Sequence, residues 1–247
     1  MEAFSMQESP AISSCDRETN HIHPKEPKAK SRPLFWFVFL FSQIVGLLAV
    51  ILVFVWIQSY DDGFPNQLVF DYHPPFMVLG MIFCFGESLL VFRVFPGCAK
   101  IGLKILHAVL LVASLVIGAV GMRAAYNPGK GTPYSLHSWI GIIAFTLYGL
   151  QWLIGFIVFL LPRISAKVRT KLLPTHVAVG VIIFVFTIVA VLTGINEKNF
   201  FPGDYAALPP AARVGNAVGL LVISFGSLVI YLLYRNDYAR KESPPLT

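Results

Sequence analysis

The sequence predicts an all-α membrane protein of six transmembrane helices, and three observations carry that prediction. Of its 247 residues, 56% are hydrophobic and only 13% are charged, and the mean hydropathy is +0.69. This is too apolar for a water-soluble domain of such length. Apolar stretches near 34–57, 73–95, 103–125, 137–161, 174–196 and 213–234 each approach or exceed the roughly 20 residues that cross a ~30 Å hydrocarbon layer as helix. The short alternating segments of a transmembrane β-barrel are absent.

The elements follow in chain order. Residues 1–33 are polar, contain Pro and Lys and have no apolar run, so they read as a disordered tail rather than a cleaved signal peptide. The first span, 34–57, carries Trp36 and Trp56 near its ends, where they serve as interfacial anchors or packing residues. The second opens on Asp71-Tyr72-His73-Pro74-Pro75 and holds Glu87. Fourteen steps of about 100° bring Glu87 near the His73 face, where it meets the surroundings of the inner site or pairs with a nearby Arg or Lys. The third span follows Lys100 and Lys104 with His107, and the fourth opens on Tyr134-Ser135-Leu136-His137-Ser138-Trp139. The fifth opens on Pro174-Thr175-His176; the sixth, 213–234, leads into a second polar tail, 235–247.

Basic residues orient the bundle. With six spans both tails lie on one side, and that side holds every Lys and Arg except Arg123, Lys130, Lys198 and Arg213. The positive-inside rule places both termini in the cytosol. Much of the formal +6 charge reflects this bias and calls for no nucleic-acid partner. Cys15, Cys84 and Cys98 offer no outer-face disulfide, and no Cys-x-x-Cys-His attachment motif, N-glycosylation site or nucleotide-binding glycine fingerprint occurs.

Topology then sorts the histidines. His21 and His23 lie in the tail, whereas His73, His107, His137 and His176 each open a different consecutive span. Ionisable residues in apolar spans are costly and mark function by default. Spans two and four run inward, placing His73 and His137 at the outer leaflet; spans three and five run outward, placing His107 and His176 at the inner one. Two imidazoles facing each other across a bundle can ligate one iron axially, whereas zinc wants three or four close ligands. The pattern therefore favours spans two to five as a four-helix core around two stacked bis-histidine b-type haems. A haem-free transporter with the histidines as proton or metal relays is the competing class, and a haem-binding sensor without turnover a third.

These residues resemble the eukaryotic cytochrome b561 family, transmembrane ascorbate-dependent oxidoreductases, over about residues 34–240. The resemblance rests on Tyr134-Ser135-Leu136-His137-Ser138-Trp139, Leu89-Leu90-Val91-Phe92-Arg93, Lys104-Ile105-Leu106-His107 and Pro174-Thr175-His176, and on the spacing from His73 to His107. It implies two non-covalent haem b groups per chain, the outer held by His73 and His137 and the inner by His107 and His176. It implies cytosolic ascorbate as donor, bound by cations at Lys100, Lys104 and Arg169, with Arg93 near the same mouth. The acceptor it implies is monodehydroascorbate in vesicles or a ferric complex at a cell surface, so the host is an endomembrane vesicle or the plasma membrane. A homodimer is also implied. On the outer side Tyr134, one turn before His137, either lines an acceptor pocket or belongs to the interfacial aromatic belt, with Asn127 and Lys130 as weaker candidates. The sequence departs from the family near Asn127–Pro133, a connection shorter than in several animal members and without a histidine that some carry there.

Overall fold

The computed structural model describes residues 32–59, 69–126 and 133–238. Both tails beyond these limits lie outside the described residues, as do Cys15, His21, His23, Asn127 and Lys130. Six helices are long and apolar enough to span a bilayer: α1 Pro33–Gln58, α2 Phe70–Val94, α3 Lys100–Ala125, α4 Leu136–Leu160, α5 Ala166–Phe200 and α6 Pro210–Tyr234. Among the described residues there is no strand. The chain is a multi-pass helical membrane protein.

Each helix end has a local cause. Pro33 and Pro210 open α1 and α6, where a missing N–H costs nothing. Ser135 caps α4, its Oγ accepting from the Ser138 amide at 3.2 Å. Ser165 caps α5 in the same way, its Oγ accepting from Val168 at 3.4 Å. This second cap starts α5 eight residues before Pro174, where the apolar pattern begins. At 35 residues and about 1.5 Å per residue, α5 therefore projects well past a ~30 Å core, carrying Lys167, Arg169 and Lys171 on a helical extension. After α6 a short turn, Asn236–Tyr238, brings the Tyr238 ring onto Phe35 at 5.1 Å.

Three helix pairs make the bundle: α1 with α6, α2 with α3 and α4 with α5. The dense core lies where α1, α2 and α6 meet. There Phe225 packs so closely on Gly46 and Gly86 that a Cβ on either glycine would come within 2.8 Å of its ring. Polar side chains bind helices within the remaining pairs and across them. Ser114 of α3 donates to the Gly80 carbonyl of α2 at 2.7 Å. From α4, Tyr148 donates to the Leu111 carbonyl at 2.9 Å and Trp152 to the Ala108 carbonyl at 3.2 Å, both on α3. In an apolar surround such bonds satisfy groups that lipid cannot.

The middle of α2, Val78–Cys84, is wound as π-helix. Each i→i+5 turn takes in about one residue more than an α-turn, so the phase between the two ends of α2 shifts. This corrects the placement of Glu87 on the His73 face. Glu87 instead faces α1, accepting from Gln43 Nε2 at 2.7 Å, and its partner is a neutral amide rather than Arg or Lys.

Candidate functional site

The pairs α2/α3 and α4/α5 face each other, and four imidazoles project into the space between them. α2 begins with a tight 3-10 turn, Val69–Tyr72, and becomes α-helical at His73, where Pro74 in the first α-turn suits the start. Its ring is buried, with Nδ1 2.9 Å from the Gly121 carbonyl of α3, and Phe70 stacks on it at 5.9 Å. Across the space, His137 on the first turn of α4 places Nδ1 2.8 Å from the Ala190 carbonyl of α5. The two ring centroids are 5.9 Å apart and the planes cross at 75°.

The second pair repeats the scheme at the other end. His107 of α3 places Nδ1 2.7 Å from the Ser88 carbonyl of α2, with Phe92 at 5.8 Å. His176 of α5 places Nδ1 2.9 Å from Gln151 Nε2 of α4, with Phe159 at 4.9 Å. These centroids are 6.5 Å apart, again at 75°. Each histidine is thus tied to the neighbouring helix of its own pair and faces a histidine of the opposite pair.

The separations fit a specific chemistry. Metal–imidazole bonds of about 2 Å on each side, plus about 1 Å from ring edge to centroid, put two axial ligands of one metal roughly 6 Å apart, centroid to centroid. With Nδ1 of every ring already engaged, Nε2 remains to ligate. Among the described residues no group of three or more His, Cys, Asp or Glu gathers as a zinc site would require. A cavity of about 460 Å³ opens between His73 and His137, lined also by Met77, Phe145, Thr187 and Val191. That volume is in the range of cofactor sites.

Two glycines shape this arrangement reciprocally. His137 of α4 packs on Gly194 of α5, where a Cβ would lie 2.7 Å from Cε1. His176 of α5 packs on Gly155 of α4, where a Cβ would lie 2.9 Å from Cε1. Sequence reasoning missed Gly194 and Gly155, because a glycine in an apolar span has many uses. It missed Gln151 too, although an amide in the middle of span four was a visible signal.

The predicted cations divide. Lys104 is half-buried and donates from Nζ to the Phe159 carbonyl at 2.9 Å, with Arg169 and Lys100 as its charged neighbours. Arg93, by contrast, donates to the Leu233 and Arg235 carbonyls at the end of α6, the latter at 3.2 Å. Tyr134 is 82% exposed at the lip of the cavity beside His137. Cys84 is a free thiol within α2.

Such a bundle, with facing imidazoles at two levels among its spans, defines a helical membrane protein with paired intramembrane histidines. The sequence profile of the eukaryotic cytochrome b561 family matches residues 72–202. The chain is 40% identical over 208 residues to the Homo sapiens transmembrane ascorbate-dependent reductase CYB561, covering 81% of this chain and 83% of that protein. It is 37% identical over 226 residues to the Danio rerio lysosomal membrane ascorbate-dependent ferrireductase CYB561A3, covering 84% and 91%. The chain therefore belongs to the eukaryotic cytochrome b561 family, whose name implies haem b.

Proposed function

We propose that this protein carries electrons from cytosolic ascorbate across the membrane to monodehydroascorbate or a ferric complex. In this reading two haem b groups are held by His73 with His137 and by His107 with His176. The observation that carries it is the pair of imidazole separations, 5.9 and 6.5 Å, each of a size to admit one axially ligated metal. The relatives support this reading, the Homo sapiens protein being named an ascorbate-dependent reductase and the Danio rerio protein an ascorbate-dependent ferrireductase of the lysosomal membrane. An endomembrane or plasma-membrane site and a homodimeric state complete the proposal.

When bound, haem b would supply a one-electron couple, and the paired histidines that would hold it favour electron transfer over oxygen chemistry. The chain supplies everything else. From His73 to Ser88 on α2 is 15 residues, so the two histidine levels are separated by roughly 20 Å of helix rise. A ~30 Å barrier is thereby divided into shorter steps. Carbonyls of Gly121, Ser88 and Ala190 hold three rings with Nδ1 protonated. Lys100, Lys104 and Arg169 attract the ascorbate anion to the His107 end, which the positive-inside rule turns to the cytosol. Ascorbate gives one electron and releases one proton to become monodehydroascorbate, and the cation cluster favours departure of that proton.

A reduced-minus-oxidised spectrum of the purified protein, titrated with ascorbate and quantified as pyridine haemochrome, tests the proposal. Two b-type haems per chain, largely reducible by ascorbate, are expected. Folded protein without haem overturns it and turns attention to transport through the same histidines.

A further inference from the structure

Three of the four intramembrane imidazoles are held by main-chain carbonyls, and one is not. A carbonyl oxygen only accepts, so His73, His107 and His137 carry their ring proton on Nδ1 and leave the Nε2 lone pair free. His176 is different. Its Nδ1 lies 2.9 Å from Gln151 Nε2, and that same nitrogen lies 2.7 Å from the His176 main-chain oxygen. An amide nitrogen only donates, so here Nδ1 accepts and the ring proton sits on Nε2, the nitrogen left for a metal.

Ligation at Nε2 displaces that proton. The ring keeps one proton in total if it moves to Nδ1, with no net uptake or release. Nδ1–H then needs an acceptor, and the amide of Gln151 can supply one by turning its Oε1 toward the ring, which gives up its bond to the His176 main-chain oxygen. A carbonyl in a helix cannot make such a turn; a side-chain amide can. Gly155, one helical turn beyond Gln151, abuts the same ring at Cε1, so the two α4 residues grip His176 from one face.

Resting on the haem reading above, we infer that Gln151 is a positioning residue for the inner haem: it sets the proton placement and basicity of His176 and so tunes that haem apart from the outer one. Hydrogen bonding at the far nitrogen of a ligating histidine raises its basicity, and a more basic ligand favours the oxidised metal. Gln151 is thus a single side chain through which the inner haem's potential can be moved while the main-chain-held outer pair is left alone.

The test uses full-length Gln151→Leu and Gln151→Glu, with haem counted as pyridine haemochrome, both midpoints resolved by potentiometric titration, and the two low-spin centres followed by EPR. Leu, which offers Nδ1 no partner, is expected to raise the inner midpoint. Glu, a stronger acceptor, is expected to lower it. Each shift should change the reduced-to-oxidised ratio at fixed potential tenfold or more, about 59 mV for one electron, with the outer haem unmoved. Loss of the inner haem in the Leu variant, with retention and a lowered midpoint in the Glu variant, supports the inference equally. Unchanged midpoints and EPR in both variants overturn it, as do equal shifts of both haems or loss of the inner haem from both variants. His176→Ala separates this from the reading beneath: a variant that keeps both haems overturns the ligand assignment itself.

Discussion

Replacing Gly194 with Ala tests whether the geometry around His137 holds a cofactor or merely packs. The added methyl would lie 2.7 Å from Cε1, 2.8 Å from Nδ1 and 3.3 Å from Nε2 of His137, whereas ordinary contact begins at 3.4 Å. The ring must therefore retreat by about 0.7 Å. Retreat strains the 2.8 Å bond from Nδ1 to the Ala190 carbonyl, which lies one turn before Gly194 on the same helix. Overpacking of this size costs about 1–3 kcal/mol, and disturbing a ligand's supporting hydrogen bond typically costs 10–100-fold in metal affinity. The expected result is a 10–100-fold weaker hold on the outer haem with the inner one retained, read by pyridine haemochrome after detergent dilution and by EPR of each low-spin centre. Gly149, on the same helix as His137, has nothing within 4 Å of a built Cβ. Gly149→Ala is therefore the control, with both haems kept and a helix about 1 kcal/mol more favourable. Two tightly held haems with unaltered EPR in Gly194→Ala would refute the view that this glycine makes room for a ligand ring.

The other predictions concern the cations. Lys104→Ala removes both a charge beside Arg169 and Lys100 and the 2.9 Å bond to the Phe159 carbonyl. Reduction by ascorbate should slow about tenfold, the effect of one charge-assisted contact of roughly 1.5 kcal/mol, while dithionite still reduces both haems. Wild-type rates should fall with added salt more steeply than those of the variant. Unchanged stopped-flow traces would make Lys104 a topology marker only. Arg93→Ala should instead act on stability, because its guanidinium holds the Leu233 and Arg235 carbonyls at the end of α6. A loss of about 1.5–3 kcal/mol, seen as earlier thermal unfolding with ascorbate kinetics near wild type, is expected; slow ascorbate reduction at unchanged stability would reverse that assignment.

What the sequence made legible was what depends on composition and order along the chain. Hydropathy placed all six spans, since crossing lipid demands about 20 apolar residues whatever their neighbours. The histidines could be sorted into levels because alternating helix direction fixes which span starts share a leaflet. Span ends were less legible: α5 starts at Ala166 because Ser165 caps it, a local hydrogen bond that hydropathy cannot register. Glu87 was misplaced because the extension from His73 assumed uniform α-turns, and α2 widens to π-helix over Val78–Cys84. Within that widened stretch the Gly80 carbonyl accepts from Ser114 of α3, a contact between helices that the sequence of α2 alone does not express.

The residues around the histidines were hidden for a further reason, which bears on how the site is built. Three of the rings are held by main-chain carbonyls, and every amino acid but proline presents the same N–H and C=O to its neighbours. Gly121, Ser88 and Ala190 share no side-chain chemistry that a motif could express, yet their carbonyls do the same work. Backbone support makes these rings insensitive to most substitutions at the supporting positions, except where a side chain would collide with a ring. Gly194 and Gly155 are such positions, and Gln151 is the one place where the support itself is a side chain. The inner pair is therefore the one that single substitutions can retune. It lies at the same end as Lys100, Lys104 and Arg169, where the proposed electron donor approaches. On the proposed reading, a side-chain-held ring at one level and main-chain-held rings at the other allow the potential difference between the two levels to be adjusted without repacking the bundle.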